Sequence, residues 1–209
     1  MRRPTPCDPC PATPLTFSFL QTVDGPVVLV GDSSGGAVIT KAATGLSNVK
    51  ALVYVAAFAL DKGESTATVL PADKYPGSLL TPDTLAVRTY PDASAPGGTN
   101  SDLYINPDDF QRVFAHDNSK TNATELALTQ RSLSQSAFAE PLDAEPAWKT
   151  IPSWDLVTLD DRAISPAVQE FMAKRAGARI TTIPAAHDVS LTRPDAINKD
   201  ILDAVASVR

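Results

Sequence analysis

Val27-Val28-Leu29-Val30-Gly31-Asp32-Ser33-Ser34-Gly35-Gly36-Ala37 is the stretch on which the fold turns. Its first four residues form a β-branched, apolar run opened by Gly25-Pro26 and closed by Gly31. A run that is apolar on both faces fits a central strand of a parallel sheet. Ala37 to Ala43 then reads as a helix, and Ala51-Leu52-Val53-Tyr54-Val55-Ala56-Ala57-Phe58 as a second buried strand. Strand, helix and strand within about 30 residues make the unit of a parallel α/β sheet. Between the first strand and the helix, Gly31-Asp32-Ser33-Ser34-Gly35 matches G-x-S-x-G. A nucleophile on such a sharp turn takes a strained backbone, and small neighbours let the turn close. Its hydroxyl is then exposed at the carboxyl end of the sheet, where open α/β sheets bind ligands. The Ser34 amide, at a helix N-terminus, can point at a developing oxyanion.

A serine hydroxyl is a weak nucleophile and needs a general base. His187 lies just past the last strand pattern, Arg179 to Ile183. A base needs an orienting carboxylate, and Asp161 lies just past the preceding one, Trp154 to Leu159. The chain order is therefore Ser33, Asp161, His187. Asp160 competes with Asp161 for the acid role. Asp155 falls inside the strand, and Asp188 adjoins His187 without a fixed direction. His116, following the apolar Phe114, reads as structural.

Helices are expected at Pro166 to Ala176, with Gly177 as C-cap, and at Pro194 to Val208, where Ile197, Ile201, Val205 and Val208 share a face. Residues 62–147 read as an irregular, partly helical insert. Pro96-Gly97-Gly98 marks a loop, Asn106-Pro107 a helix start, and Asn122 with Glu125 a capping box.

The chain of 209 residues suits one domain. Residues 1–22 are expected to be disordered or adventitious, although the mixed stretch 15–24 could hold a short helix or a strand, and 23–209 are expected to hold the fold. Lys and Arg total 18 against 24 Asp and Glu, a net charge of −6. An acidic chain without a basic run lacks the footprint of a nucleic-acid binder. No apolar run reaches the ~18–20 residues that cross a bilayer. Cys7-Asp8-Pro9-Cys10 is a lone CxxC among five prolines, with neither a thioredoxin-like context nor a second pair of ligands, and reads as incidental. Met1-Arg2-Arg3 is not followed by a proper apolar signal region, so a cytoplasmic location is the default. Asn122-Ala123-Thr124 is a sequon that matters only in a secreted protein.

The blocks Val27 to Ala37, Tyr54 to Ala59, Asp161-Arg162-Ala163-Ile164-Ser165-Pro166 and Ala186-His187-Asp188-Val189-Ser190 with Arg193-Pro194 resemble the α/β-hydrolase family. The likeness is to small bacterial serine esterases of the group that contains plant methylesterases and hydroxynitrile lyases. It covers roughly residues 23–209. It implies a mostly parallel sheet flanked by helices, with residues 62–147 as a cap over the pocket. It also implies ester hydrolysis through an acyl-enzyme: Ser33 attacks, His187 moves the proton, Asp161 orients His187, and the Ser34 amide donates to the oxyanion. No metal or organic cofactor is implied, and the expected partner is a small-molecule ester. Two departures stand out. Asp32 precedes the nucleophile where relatives usually have His. Only 30 residues precede Gly31 and no His-Gly pair occurs, so the resemblance implies missing first strands, a missing second oxyanion donor and an open sheet edge suited to self-association. A catalytically silent binding protein and a lyase using Lys74, Lys120 or Lys149 are the alternatives.

Overall fold

The computed structural model describes residues 12–70, 73, 75–95 and 97–208. Cys7, Cys10, the Met1-Arg2-Arg3 start and Lys74 lie outside them. In chain order the elements are α1 (Ala12–Leu20), β1 (Val27–Asp32), α2 (Gly35–Ala42), β2 (Val49–Val55), β3 (Leu85–Pro91), β4 (Thr99–Ile105), α3 (Pro107–Val113) and α4 (Lys120–Thr129). They continue with β5 (Leu133–Ser134), α5 (Gln135–Ala139), β6 (Ser153–Thr158), α6 (Pro166–Arg175), β7 (Arg179–Ile183), α7 (Val189–Thr192) and α8 (Pro194–Ser207).

β1, β2, β6 and β7 form a four-stranded parallel sheet in that order. β2 shows why its sequence is apolar throughout. Leu52 and Tyr54 face one layer, with Ile39 and Ala42 of α2 and Val168 and Met172 of α6. Ala51, Val53 and Val55 face the other, with Trp154, Leu156 and the Ile197, Ile201 and Ala204 face of α8. Burying both faces of a central strand supplies the main driving force for this layering. Tyr54 also donates its hydroxyl to Thr40 Oγ1 at 2.8 Å, while Thr40 donates to the Gly36 carbonyl at 2.7 Å, which ties β2 to α2.

Two expectations are corrected. Residues 12–20, within the segment expected to be disordered, are helical. Leu20 is buried, Phe17 packs on the same core, and Asn48 Nδ2 donates to the Leu20 and Val23 carbonyls at the end of the helix. Pro14 is tolerated because it falls in the first turn. The insert, expected to be irregular and partly helical, contains an antiparallel sheet in the order β3-β4-β5. The loop signal at Gly97-Gly98 is the turn of a hairpin, both glycines having positive φ (86° and 73°). α4 starts earlier than the Asn122 reading placed it: Ser119 is the cap, accepting from the Asn122 amide at 3.2 Å. Among the described residues no helix is long and apolar enough to cross a membrane.

One core group conflicts with its surroundings. Asp155 on β6 pairs in register with Tyr54, is 1% exposed, and has no hydrogen-bond partner among the described residues at either carboxylate oxygen. Burial, reinforced by the Asp200 carboxylate, pushes its pKa well above the ordinary 3.8. The folded state therefore holds a proton that the unfolded chain releases, and stability falls as pH rises from about 4. Replacing Asp155 by Val is expected to raise the thermal midpoint at pH 8 more than at pH 5. Thermal unfolding of both proteins across that range checks it, and equal gains at the two pH values would refute the protonated state.

Candidate active site

The turn from β1 to α2 is built from backbone constraints. Ser33 has φ 53°, a left-handed conformation that costs a non-glycine residue roughly 1–2 kcal/mol. Three main-chain bonds hold it there. Its amide donates to the Val55 carbonyl at 3.1 Å, and its own carbonyl accepts the Gly36 and Phe58 amides, each at 3.1 Å. A Cβ on Gly31 would stand 2.6 Å from the Gly35 carbonyl oxygen, and one on Gly36 would stand 2.7 Å from that of Phe58. A Cβ on Gly35 would meet nothing within 4 Å. The motif's second glycine is thus not a packing requirement, whereas Gly36, one residue further on, is.

Three of the four parallel strands deliver one polar group each just past their carboxyl ends. Ser33 follows β1, Asp161 follows β6 and His187 follows β7. His187 Nε2 lies 2.9 Å from Ser33 Oγ, and its Nδ1 lies 2.7 Å from Asp161 Oδ2. Asp161 Oδ1 accepts the Ala163 and Ile164 amides at 2.8 and 2.9 Å. Its Oδ2 accepts the Thr158 hydroxyl at 2.9 Å and Gln169 Nε2 at 2.8 Å. A carboxylate surrounded by donors acts as acceptor only. Nδ1 of His187 therefore carries the proton, and Nε2 is free to accept from Ser33. Asp160, the competing acid, is exposed and makes no bond to His187; its amide donates to the Ala185 carbonyl. Asp155 lies inside β6, and Asp188 Oδ2 accepts from Asn118 rather than from the imidazole. His116 stands in the α3–α4 connection outside this array.

The sequence reading missed Gln169 and Thr158, both fully buried. Gln169 bridges α6 to the Asp161 turn, donating also to the Ile164 carbonyl at 2.7 Å and accepting the Thr158 amide at 3.0 Å. The available signal was a polar residue on the same buried face of α6 as Met172 and Ala173.

His187 is 3% exposed. Burial alone would lower its pKa, but the carboxylates of Asp161, Asp32 and Asp188 outweigh it, and the net shift is upward from 6.5. Asp32, beside Ser33, is itself raised, first by desolvation and then by Asp161. The Ser34 amide, at the start of α2, donates to no acceptor among the described residues, and Ser34 is exposed beside Ser33. A cavity of about 520 Å³ opens onto Ser33, Ser34 and His187. Its walls are mainly apolar, including Leu103, Ile105, Phe110, Phe114 and Leu133 from the insert. No lysine lines it among the described residues, and Lys149 is engaged with Asp61 and Glu145. No group of three or more His, Cys, Asp or Glu placed to hold a metal occurs among the described residues.

A serine, a histidine and an aspartate joined by hydrogen bonds at the carboxyl ends of a parallel sheet, with the serine on a glycine-bound turn, define a class of α/β proteins. The family model described as the alpha/beta hydrolase family matches residues 2–200, and the chain belongs to that family. Its fold is similar to that of a pyrethroid hydrolase from Sphingobium faniae JZ-2, with 24% identity, TM-score 0.73, and 93% of this chain and 76% of that chain covered. It is similar also to an extracellular alpha/beta-hydrolase from a Paenibacillus species, with 21% identity, TM-score 0.73, and coverage of 92% and 77%. For polyneuridine aldehyde esterase the identity is 20%, the TM-score 0.71, and the coverage 92% and 77%. A search of curated proteins finds no match.

The glycine geometry separates two neighbouring substitutions. Gly36→Ala is expected to destabilise the protein by roughly 1–3 kcal/mol, as overpacking does. Gly35→Ala is expected to be neutral or to stabilise by up to about 1 kcal/mol, since alanine favours a helix. Urea unfolding of the two variants decides this, and equal losses would contradict the packing assignment.

Proposed function

We propose that the protein is a serine hydrolase that cleaves carboxylic esters through an acyl-enzyme. The observation that supports this most directly is the continuous hydrogen-bonded path from Ser33 through His187 to Asp161. In this reading Ser33 Oγ attacks the ester carbonyl while its proton passes to His187 Nε2. Asp161 stabilises the imidazolium that forms and fixes its tautomer. The Ser34 amide donates to the developing oxyanion. His187 returns the proton to the leaving alkoxide, and water, activated by the same imidazole, releases the acid. Two of the similar structures are named a hydrolase and an esterase, which agrees with this chemistry. The apolar cavity suits a small-molecule ester with a sizeable uncharged group. The lyase alternative finds no cap lysine on the cavity wall among the described residues. Self-association through the open β1 edge belongs to the same proposal.

Ser33→Ala and His187→Ala are each expected to lower kcat on p-nitrophenyl acetate by about 10⁶-fold, and Asp161→Asn by about 10⁴-fold. Fluorophosphonate labelling should be lost with Ser33. A folded wild type that is neither labelled nor active would favour the silent binding protein instead.

The base must be neutral to act. Because His187 is raised above 6.5, the acid limb of kcat/KM is expected above that value, with rate increasing as pH climbs through it. Asp32→Asn removes one of the carboxylates that raise it, so the limb should move to lower pH. A pH–rate profile in which Asp32→Asn leaves the limb in place would contradict this coupling.

A further inference from the structure

His187 is carried by a loop between β7 and α7, where no strand ladder fixes it. The segment joining α3 to α4 reaches that loop on both sides of the histidine. Asp117 Oδ2 accepts the Ala186 amide at 3.0 Å and the Thr192 hydroxyl at 3.3 Å. Asn118 Nδ2 donates to Asp188 Oδ2 at 2.6 Å, and the Asp188 amide donates to the Phe114 carbonyl at 3.3 Å. The Phe114 ring meets the imidazole edge-on, with centroids 4.6 Å apart. The segment is itself braced. The Asn118 amide donates to the Ala115 carbonyl at 3.0 Å, and Gln111 Nε2 donates to the Asn118 carbonyl at 3.0 Å. Ala115 is buried with Phe110, Ala123 and Ala127 between α3 and α4. Two residues flanking His187 and one edge of its ring are thus gripped by a single braced segment. A segment that only walled the cavity would need none of the bonds to Ala186, Asp188 and Thr192.

We propose that residues 114–118 are a positioning clamp for His187, with Asn118 and Asp117 as positioning residues, so that the segment lining the cavity also sets the aim of the imidazole at Ser33. The inference rests on the reading of His187 as the base.

The charged and titratable groups around Asp188 are Asp117 from the α3–α4 segment and His187 beside it in the chain. Asp32, at the end of β1, acts on His187 from the other side. Burial, then the Asp117 carboxylate, push Asp188 up to about 6. A carboxylate placed at residue 118 would therefore oppose Asp188 at neutral pH and share a proton with it at lower pH.

The test uses Asn118→Ala and the near-isosteric Asn118→Asp, each checked for folding by circular dichroism. The chain has only two histidines, so ¹⁵N-histidine NMR observes His187 beside a single other signal. In Asn118→Ala, fluorophosphonate labelling is expected to slow by up to about 100-fold. The effect should fall on kcat more than on KM, and the His187 Nδ1–H signal should exchange faster. In Asn118→Asp the deficit relative to wild type should widen as pH rises through about 6, which a contact serving stability alone would not produce. His187 signals and labelling rates unchanged in both variants would overturn the clamp. A folded wild type that never labels would overturn the hydrolase reading instead, and the NMR arm would still decide the clamp. Should Asn118→Ala not fold, Asn118→Asp carries the test.

Discussion

The left-handed backbone of Ser33 is the constraint from which the site follows. It survives because its amide and carbonyl are bonded to Val55, Gly36 and Phe58. Two of these partners lie on β2 or just beyond it, so the strain at Ser33 is held by the register of β1 on β2, in which Asp32 is paired with Val55. A slip of one residue would move the Val55 carbonyl away from the Ser33 amide and turn every side chain of the strand to the other face. The same register brings Gly36 against the Phe58 carbonyl, a distance only glycine allows. Sheet pairing, helix approach and serine exposure are one condition seen from three residues.

The electrostatics of the site reflect an acidic chain: Arg131 lines the cavity, but no ion pair among the described residues ties a lysine or arginine to the carboxylates beside His187. Among the described residues none of Asp32, Asp117, Asp161 or Asp188 is paired with a lysine or arginine. Asp161 is satisfied by neutral donors, whose dipoles compensate its charge at close range. A nearby arginine would have done so while drawing the proton off His187. The neutral solution leaves the carboxylate field acting on the imidazole, and the upward shift of the histidine is its signature.

The parallel core and the three residues proposed to react were legible because each is a local event. An apolar run closed by glycine, an acid just past a strand and a histidine just past the next are patterns a few residues long. Helices α6 and α8 were legible for the same reason, through 3–4 spacing and an opening proline. What was not legible depends on distant partners. Leu85–Pro91 becomes a strand only because Thr99–Ile105 lies opposite, and its exposed face removes the burial pattern that marks a core strand. α1 has four prolines just upstream and Pro14 in its first turn, and is stabilised by packing on α2 and the core. Gln169 is eight residues from Asp161 in sequence, yet its amide completes the carboxylate's hydrogen bonding. The importance of Gly36 over Gly35 is likewise a tertiary contact that no motif records.

Ser33, Asp161 and His187 are not held equally. Ser33 is fixed by main-chain bonds to the sheet, and Asp161 by amides of its own turn and by Gln169 from α6. These anchors are buried and belong to the core layers. Among the described residues His187 itself makes no main-chain bond to the sheet, although Ala185 and Val189 on either side of it are buried in the core. Apart from its bonds to Ser33 and Asp161, the polar contacts that fix its loop come largely from the insert, through Phe114, Asp117 and Asn118. The imidazole is therefore the member whose position responds most to changes in the insert. A cavity wall that shifted on admitting a ligand would move the segment that grips His187 on both sides, while Ser33 and Asp161 stayed with the core. Coupling between what fills the cavity and how the imidazole meets Ser33 is then a consequence of which layer holds each residue.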